Sequence, residues 1–276
     1  RVAVEVDAVV GRVGAVREKN NEEAMSKDTA ITWAHDTFNP WWGCFKISPG
    51  CKHCYADAFD HRLGGKHWGI DAPRKFFGDK HWREPEKWCA AAVAAGTRRR
   101  VFCASMADVC EDRRDLDEHR ARLAELIDRT AAGLDWLLLT KRADHLDLMP
   151  FAPNVWRGVT VESADELWRI DRLRACKASV RFISYEPALG PIAGADLTGI
   201  DWIVCGDESG RVRRPADPQW FRDLRDQCER DGVAFHFKQW AGAASPGIDG
   251  PRTSGKIHLP ILDGAQHAAF PEAPRD

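Results

Sequence analysis

The sequence predicts an α/β protein whose parallel strands form a partial or near-complete (β/α) barrel. Two observations predict this fold: short apolar runs recur along the 276 residues, and segments with helical periodicity lie between most of them. A third observation is that the runs are apolar throughout, which is typical of strands buried on both faces of a parallel sheet. An open, doubly wound parallel sheet is the alternative.

Seven runs are predicted to be strands, because each is short and rich in β-branched or aromatic residues. Strands that alternate with helices along the chain indicate a parallel sheet, and seven such units favour a barrel. In chain order the predicted strands are residues 30–34, 100–106, 136–141, 155–161, 180–185, 201–206 and 233–238.

Two of the intervening helices carry sequence signals at their ends. Ser163 and Glu166 have the spacing of a capping box ahead of an apolar helical segment. Asp217 followed by Pro218 is typical of a helix N-terminus, and Gly232 is typical of the position at which a helix ends. These signals support helices between the fourth and fifth strands and between the sixth and seventh.

The chain is predicted to contain one barrel domain with an extension at each end. We expect residues 1–28 to be an N-terminal extension, with the functional domain beginning near Met25; an edge strand at residues 2–10 is the alternative. Residues 29–242 are expected to form the barrel. The Gly-, Pro- and Ala-rich residues 243–276 are expected to form a loop-rich tail.

Composition narrows the class of protein. The net charge is −2, from 40 Lys and Arg against 42 Asp and Glu, so the bulk charge gives no sign of a nucleic-acid partner. No apolar run is long enough to span a membrane, and we find no signal peptide. Nine cysteines without a secretory signal indicate reduced thiols, so we expect a cytoplasmic protein with no membrane partner. Neither G-x-G-x-x-G nor G-x-x-x-x-G-K-[ST] occurs, which argues against dinucleotide and P-loop sites.

Charged and polar residues collect where the predicted strands end. In a parallel (β/α) barrel the carboxyl ends of all strands lie on one face, where active sites form. For any one residue, a solvated side chain that merely follows a strand is an equally good interpretation. The recurrence of Asp or Glu at four of the seven ends favours a functional rim. The residues are Asp108, Lys141, Arg142, Glu162, Glu186, Asp207, Glu208, Lys238 and Gln239.

Three cysteines, Cys44, Cys51 and Cys54, follow the first predicted strand with the spacing C-x6-C-x2-C. Gly43 and Gly50 are expected to let this loop turn tightly. Three thiolates fit an iron–sulfur cluster in which one iron stays free for a small ligand. A structural zinc site and three unrelated thiols are the alternatives; zinc is less favoured because only one C-x2-C pair is present. The histidines that a zinc site could borrow are His53, His61 and His67.

The segment from Phe38 to Ala56 resembles a phage- and bacteria-associated family of uncharacterised three-cysteine proteins. That family has the pattern W-N-P-W-x-G-C-x-x-x-S-x-G-C-x-x-C-Y-A, with Phe38 here in place of Trp. The resemblance covers roughly residues 31–242. Further matching segments are residues 137–142, 158–162, 181–192, 201–210, 214–215 and 235–240.

The cysteine loop also resembles the cluster-binding loop of radical S-adenosylmethionine (SAM) enzymes, although their usual spacing is C-x3-C-x2-C. This resemblance implies that Cys44, Cys51 and Cys54 bind a [4Fe–4S] cluster, and that an external electron donor drives reductive cleavage of SAM. The deoxyadenosyl radical would then abstract hydrogen from a substrate. His53 stands where those enzymes usually have an aromatic residue near the adenine. The residues implied to contact SAM are Asp108, Lys141, Arg142, Glu162, Glu186 and Glu208.

Two functions therefore follow from the sequence. The first is a radical SAM enzyme that acts on an unknown substrate, for which a nucleotide or nucleic acid is the candidate class. The second is a metal-stabilised nucleic-acid-binding module without catalysis. Residues 74–83 interleave basic and aromatic side chains, and Arg98 to Arg100 add a basic run, as in surfaces that contact phosphates and stack on bases. A solvated loop with some buried rings is the alternative for residues 74–83.

Overall fold

A curled half-barrel of seven parallel strands forms the centre of the molecule. The computed structural model describes residues 25–27, 29, 31–210, 212–240 and 261–272. The main sheet has eight strands in the order β1-β2-β5-β6-β7-β8-β9-β10, and only β1 runs antiparallel. Its strands are β1 (Met25–Lys27), β2 (Asp36–Phe38), β5 (Arg99–Cys103), β6 (Leu134–Thr140), β7 (Val155–Thr160), β8 (Val180–Tyr185), β9 (Trp202–Gly206) and β10 (Ala234–Gln239).

The α/β prediction with a partial parallel barrel agrees with this sheet, and six of the seven predicted strands are confirmed. The first is wrong: residues 31–34, the described part of the predicted strand, are not a strand, and β2 begins at Asp36. Residues 31–34 are apolar for another reason. Trp33 is 3% exposed and packs inside the half-barrel against the rings of Phe102, Phe182 and Trp202.

Helices cover the outer, convex face of the sheet and bury the larger of the two main apolar clusters against it. The predicted helix ends near residues 217 and 232 are confirmed. Asp217 accepts a hydrogen bond from the Gln219 amide, and Gly232 ends the helix with a φ of 72°. The helices are α1 (Tyr55–Arg62), α2 (Asp79–Trp82), α3 (Glu84–Ala94), α4 (Asp117–Arg129), α5 (Trp168–Ala175) and α6 (Pro218–Asp231). Short 3₁₀ helices are Pro49–Cys51, Arg114–Leu116, Ala143–Leu148 and Ala164–Glu166.

The inner, concave face of the sheet is filled at one end and open at the other. Every second residue of a strand faces the same side of the sheet, so about half of the residues in each strand point into the half-barrel. Trp156, Phe182 and Trp202 fill the amino end, and Gly158 leaves room for the Phe182 ring, which a Cβ there would overlap. Further along the same strands the inward residues are small or polar, so the carboxyl end stays open.

The described part of the C-terminal region packs onto the barrel rather than forming a separate tail. β11 (Ile261–Leu262) and β12 (Ala265–Gln266) form a hairpin. Beyond it, the Phe237 amide donates to the His267 carbonyl, and Phe270 lies in the inner apolar cluster beside Trp202. Residues 261–272 therefore contact the barrel; residues 241–260 lie outside the described part, and the predicted boundary at residue 243 stays a prediction.

At the N-terminal side, β1 pairs with β2, so residues 25–27 belong to the sheet and not to an extension. The prediction for residues 1–24 lies outside the described residues. Within the described residues, no helix combines the length and the apolar character that crossing a membrane requires.

Two buried histidines make the fold sensitive to acid. Burial lowers the pKa of His236 to about 4, helped by the charges of Arg100 and Lys238. Burial also lowers the pKa of His81 to about 4, although its hydrogen bond to the Asn39 carbonyl opposes this. In the unfolded chain both should titrate near pH 6.5, so below that pH the unfolded state binds more protons and stability falls.

We expect the free energy of unfolding to decrease by about 2 kcal/mol per histidine between pH 6.5 and pH 5, as follows from ~1.4 kcal/mol per pKa unit. Urea unfolding at the two pH values measures the loss. The His236→Gln variant should lose about half as much over the same range. An identical loss in wild type and variant would contradict this assignment.

Candidate active site

The three predicted metal ligands lie in one loop that crosses the open end of the half-barrel. β3 (Trp41–Trp42) pairs with β4 (Lys75–Phe76) just before this loop. Gly43 then adopts a φ of 114°, which favours glycine, and its amide donates to the Met106 carbonyl. We call residues 44–54 the cysteine loop. It is held at three points above the sheet.

Arg142 holds the first part of the cysteine loop at the end of β6. Its guanidinium donates to the Cys44 thiol sulfur over 3.3 Å and to the Phe45 carbonyl over 2.9 Å. It also lies 4.4 Å from the centre of the Phe45 ring. Asp108 orients it by accepting a 2.9 Å hydrogen bond from Nη1. Arg142 was one of the residues implied to contact SAM; in the structure it contacts the cysteine loop itself.

Glu162 holds the middle of the cysteine loop at the end of β7. This carboxylate is fully buried and accepts hydrogen bonds from the Ser48 hydroxyl at 2.7 Å and from Arg169 at 2.6 Å. The loop comes so close at Gly50 that an added Cβ would lie 2.6 Å from Glu162 Cγ. Gly50 is therefore needed for this close approach, and not for the tight turn that the sequence predicted, since only Gly43 has a positive φ here.

Glu208 holds the last part of the cysteine loop at the end of β9. His53 Nδ1 lies 3.2 Å from Glu208 Oε2, and Arg214 pairs with the same carboxylate while donating to the Pro49 carbonyl over 3.0 Å. Burial works against ionisation of Glu208, but the hydrogen bonds from Arg214 and His53 outweigh it and keep the pKa of that carboxyl below its usual value. The loop is thus fastened to β6, β7 and β9 before any ligand binds.

Beneath the cysteine loop lies a cavity of about 500 Å³, a size typical of small-molecule sites. All three predicted ligands, Cys44, Cys51 and Cys54, line it. Seven of the nine predicted rim residues line it as well, so the strand-end rule placed them correctly. Those seven are Asp108, Lys141, Arg142, Glu186, Glu208, Lys238 and Gln239. Glu162 and Asp207 do not line it; both are fully buried.

The carboxylates that line the cavity are already hydrogen-bonded. Asp108 accepts from the Thr140 hydroxyl, from two backbone amides and from Arg142. Both oxygens of Glu186 accept from Lys238 Nζ, at 2.8 and 2.9 Å. The ammonium group of Lys141 forms a looser ion pair, because its Nζ lies 3.9 Å from Glu162 Oε1. Lys141 is therefore the lining cation best placed to accept an anionic group of a ligand.

Burial shapes the chemistry of the thiols. It raises the pKa of the Cys44 thiol to about 12, although the charge of Arg142 pulls in the other direction. Burial also raises the pKa of Cys54, against the backbone amides of Asp57 and Ala56 at the start of α1. In the metal-free chain these two groups are thiols at neutral pH, so a metal centre that binds them must release their protons.

The three thiols and the nearby histidines do not form a site for a single metal ion among the described residues. Within the part of the chain that the structure describes, no three His, Cys, Asp or Glu side chains are grouped closely enough to hold one metal ion. A cluster spreads three thiolates over three irons, so its ligands lie further apart. The histidines proposed for zinc have other partners: His53 pairs with Glu208, His61 with Asp57 and His67 with Asp60.

Comparison with known proteins identifies the family. The sequence pattern of a family described as "Protein of unknown function (DUF5131)" matches residues 28–271. The chain belongs to the DUF5131 family. Comparisons with curated proteins and with solved structures give no match. The family match covers most of the described chain, including β2 to β10 and the cysteine loop, so the cavity belongs to the domain that defines DUF5131.

The basic and aromatic segment at residues 74–83 of this DUF5131 protein is partly packed into the fold, while Lys80 and Arg83 are exposed. Arg74 is buried and pairs with Glu111, and Trp82 is only 2% exposed. The rings of Phe76 and Phe77 stack on His119 and His81. Of the basic run that follows, Arg98 and Arg99 form ion pairs, and Arg100 lies over the Phe270 ring. Arg74, Trp82 and the stacked rings therefore serve packing, and nucleic-acid binding by this segment stays a prediction.

Sequence reasoning missed three residues that fix the cysteine loop of the DUF5131 chain: Ser48, Arg169 and Arg214. Ser48 and Arg214 lie in segments that matched the three-cysteine family, which was the available signal. Arg169 carried no signal, because it reaches Glu162 only through the packing of α5 against β7.

Proposed function

We propose that this protein is a radical SAM enzyme that binds a [4Fe–4S] cluster through Cys44, Cys51 and Cys54. The observation that carries the proposal is that these three thiols line one cavity at the carboxyl ends of a parallel half-barrel. Among the nine cysteines, all within the described residues, five are buried in the core and Cys176 does not line the cavity. The site thus offers three thiolates and no fourth, which leaves one iron open.

When bound, the cluster would supply the electron that breaks a carbon–sulfur bond of SAM. The chain itself would position the reactants and exclude water. The cysteine loop is fixed beforehand at Arg142, Glu162 and Glu208, so binding would need little reorganisation. Lys141 would hold the SAM carboxylate, and Glu186 would face its positive groups across the cavity. The electron would come from an external donor.

A metal-stabilised nucleic-acid-binding module is not favoured. Of the residues that suggested it, Arg74 is buried and Arg98 and Arg99 are ion-paired, which leaves Lys80 and Arg83 as the exposed cations of the segment. The cavity also points to a ligand of small-molecule size.

The experiment that tests the proposal is anaerobic purification followed by reduction with dithionite in the presence of SAM. We expect brown protein with about four irons and four sulfides per chain, and release of deoxyadenosine. Lys141→Gln should keep the iron and weaken SAM binding by about 10- to 100-fold, the usual range for losing a hydrogen bond to a charged group. Lys177→Gln, which lies outside the cavity, should bind SAM like the wild type. Colourless wild-type protein, or a full cluster that yields no deoxyadenosine, would refute the proposal.

A further inference from the structure

Below the rim, the cavity has an uncharged inner part that the cysteines and charged residues do not reach. Leu139, Thr160 and Ser184 each precede a residue of the rim by two positions in the same strand. At about 3.3 Å per residue, they lie roughly 6 to 7 Å deeper in the barrel. We call this part of the cavity the deep compartment. Its residues are Trp33, Thr37, Phe102, Leu139, Thr160 and Ser184, and all of them line the cavity.

One wall of the deep compartment carries hydroxyl groups without protein partners. Thr160 and Ser184 are register partners on the adjacent strands β7 and β8, so their side chains lie side by side. Both residues are buried, at 1% and 4% exposure, and line the cavity, and no hydrogen bond of either hydroxyl is found among the described residues; unlike the Thr37 hydroxyl, neither is a fully enclosed unpartnered atom. Thr37 is 5% exposed and its hydroxyl is likewise unpartnered. Buried hydroxyls are normally hydrogen-bonded, so these three groups point to a ligand.

Another part of the deep compartment is aromatic, and the Thr37 hydroxyl lies beside it because Thr37 is the register partner of Phe102. The rings of Trp33 and Phe102 lie 4.5 Å apart at an angle of 59°. Trp33 comes from the segment before β2, which enters the barrel beside β10, where the Thr32 hydroxyl lies 3.1 Å from His236 Nε2. Leu139 adds apolar surface from β6. This wall is suited to the apolar faces of a flat ring.

The charge of the lining residues indicates which class of ring compound the deep compartment can bind. None of the six residues of the deep compartment is charged. The lining lysines belong to the rim or to the cysteine loop, where Lys238 pairs with Glu186 and Lys46 pairs with Asp57. A phosphate or carboxylate would lose its hydration there without gaining a partner, so the group that enters must be uncharged. A purely apolar ring would leave the hydroxyls unpaired. A ring with hydrogen-bond donors and acceptors along its edge can bond to the hydroxyls, which both donate and accept, while its faces pack against the aromatic rings.

We propose that the deep compartment binds the uncharged heteroaromatic ring of a nucleobase or nucleoside, through the hydroxyls of Thr160 and Ser184 and the rings of Trp33 and Phe102. Calling this ligand the substrate rests on the proposed function, because only then does it lie directly beneath the reactive centre. The binding itself requires no metal. Phosphates of a larger ligand would have to stay at the rim or outside the cavity.

The test uses the full-length, metal-free chain and isothermal titration with adenosine, guanosine, cytidine, uridine and thymidine, with ribose and toluene as comparison probes. We expect at least one nucleoside to bind ten-fold or more tightly than either comparison probe. Ser184→Ala and Thr160→Val remove one hydroxyl each with little change in volume. Each should weaken that nucleoside by about 3- to 10-fold, the range for one net hydrogen bond. Ser179→Ala, at the far end of β8 and outside the cavity, is the matched control.

A second arm separates the substrate from SAM, whose adenosyl group belongs to the same chemical class. In iron-loaded protein saturated with SAM, the affinity for the preferred nucleoside should stay within about two-fold of its metal-free value. Displacement of the nucleoside by SAM would overturn the inference, because the compartment would then be the adenosyl site. It would also be overturned if no nucleoside bound or if toluene bound as tightly. A protein that fails to cleave SAM yet binds the nucleoside would refute only the proposed function.

Discussion

Cys51→Ala protein purified without oxygen should be colourless and should contain less than a tenth of the iron of the wild type. Cys51 lines the cavity together with Cys44 and Cys54, and among the described residues no fourth cysteine lines it. A [4Fe–4S] cluster held by two thiolates would leave two irons without a protein ligand, and such a cluster does not survive purification. The measurement is iron and sulfide per chain, with the absorption spectrum beside it.

Cys205→Ala is the matched control for this result. Cys205 is fully buried in the core between the sheet and the helices, where it acts as a small apolar side chain. We expect that variant to keep its iron and to lose about 1–2 kcal/mol of stability through the cavity that is created. Circular dichroism would show that both variants are folded. Equal loss of iron in the two variants would show that the loss reports general destabilisation and not ligand removal.

Gly50→Ala should strongly reduce iron binding although it changes no ligand. An added Cβ would overlap the Glu162 carboxylate, which cannot easily move because Ser48 and Arg169 hold it. Overpacking of this kind costs about 1–3 kcal/mol. This cost raises the free energy of the loop conformation that contacts Glu162 but not that of a loop released from Glu162. The equilibrium between the two conformations should therefore shift toward the released loop by about 5- to 150-fold. Reconstitution with limiting iron should therefore give less cluster, and more slowly.

Gly78→Ala serves as the control for this substitution. Gly78 precedes α2 with a φ of −79°, and a Cβ there meets nothing within 4 Å. That variant should reconstitute like the wild type. If Gly50→Ala also took up iron at the wild-type rate and to the same extent, the contact between the loop and Glu162 would not govern formation of the metal site.

The sequence by itself determined the parallel α/β class and the place of the site. Both depend on local or periodic properties: uniformly apolar strands, helix signals such as Asp217 and Gly232, and the rule that parallel strands end on one face. That rule brought Asp108, Lys141 and Glu186 into one cavity with the cysteines, although no two of them are neighbours in the sequence.

Only the tertiary structure decided what these residues do. Glu162 follows a strand like Glu186, yet it binds Ser48, which lies 114 positions away in the chain, and anchors the loop instead of lining the cavity. Trp33 and Ala34 lie in a segment with the composition of a strand but pack inside the barrel. Likewise, the hydroxyls of Thr160 and Ser184 become a pair only through the register of β7 and β8. In each case the role of a residue depends on which other residues the fold brings next to it. A hydrophobic pattern predicts that a residue is buried, but it does not predict which residues it packs against.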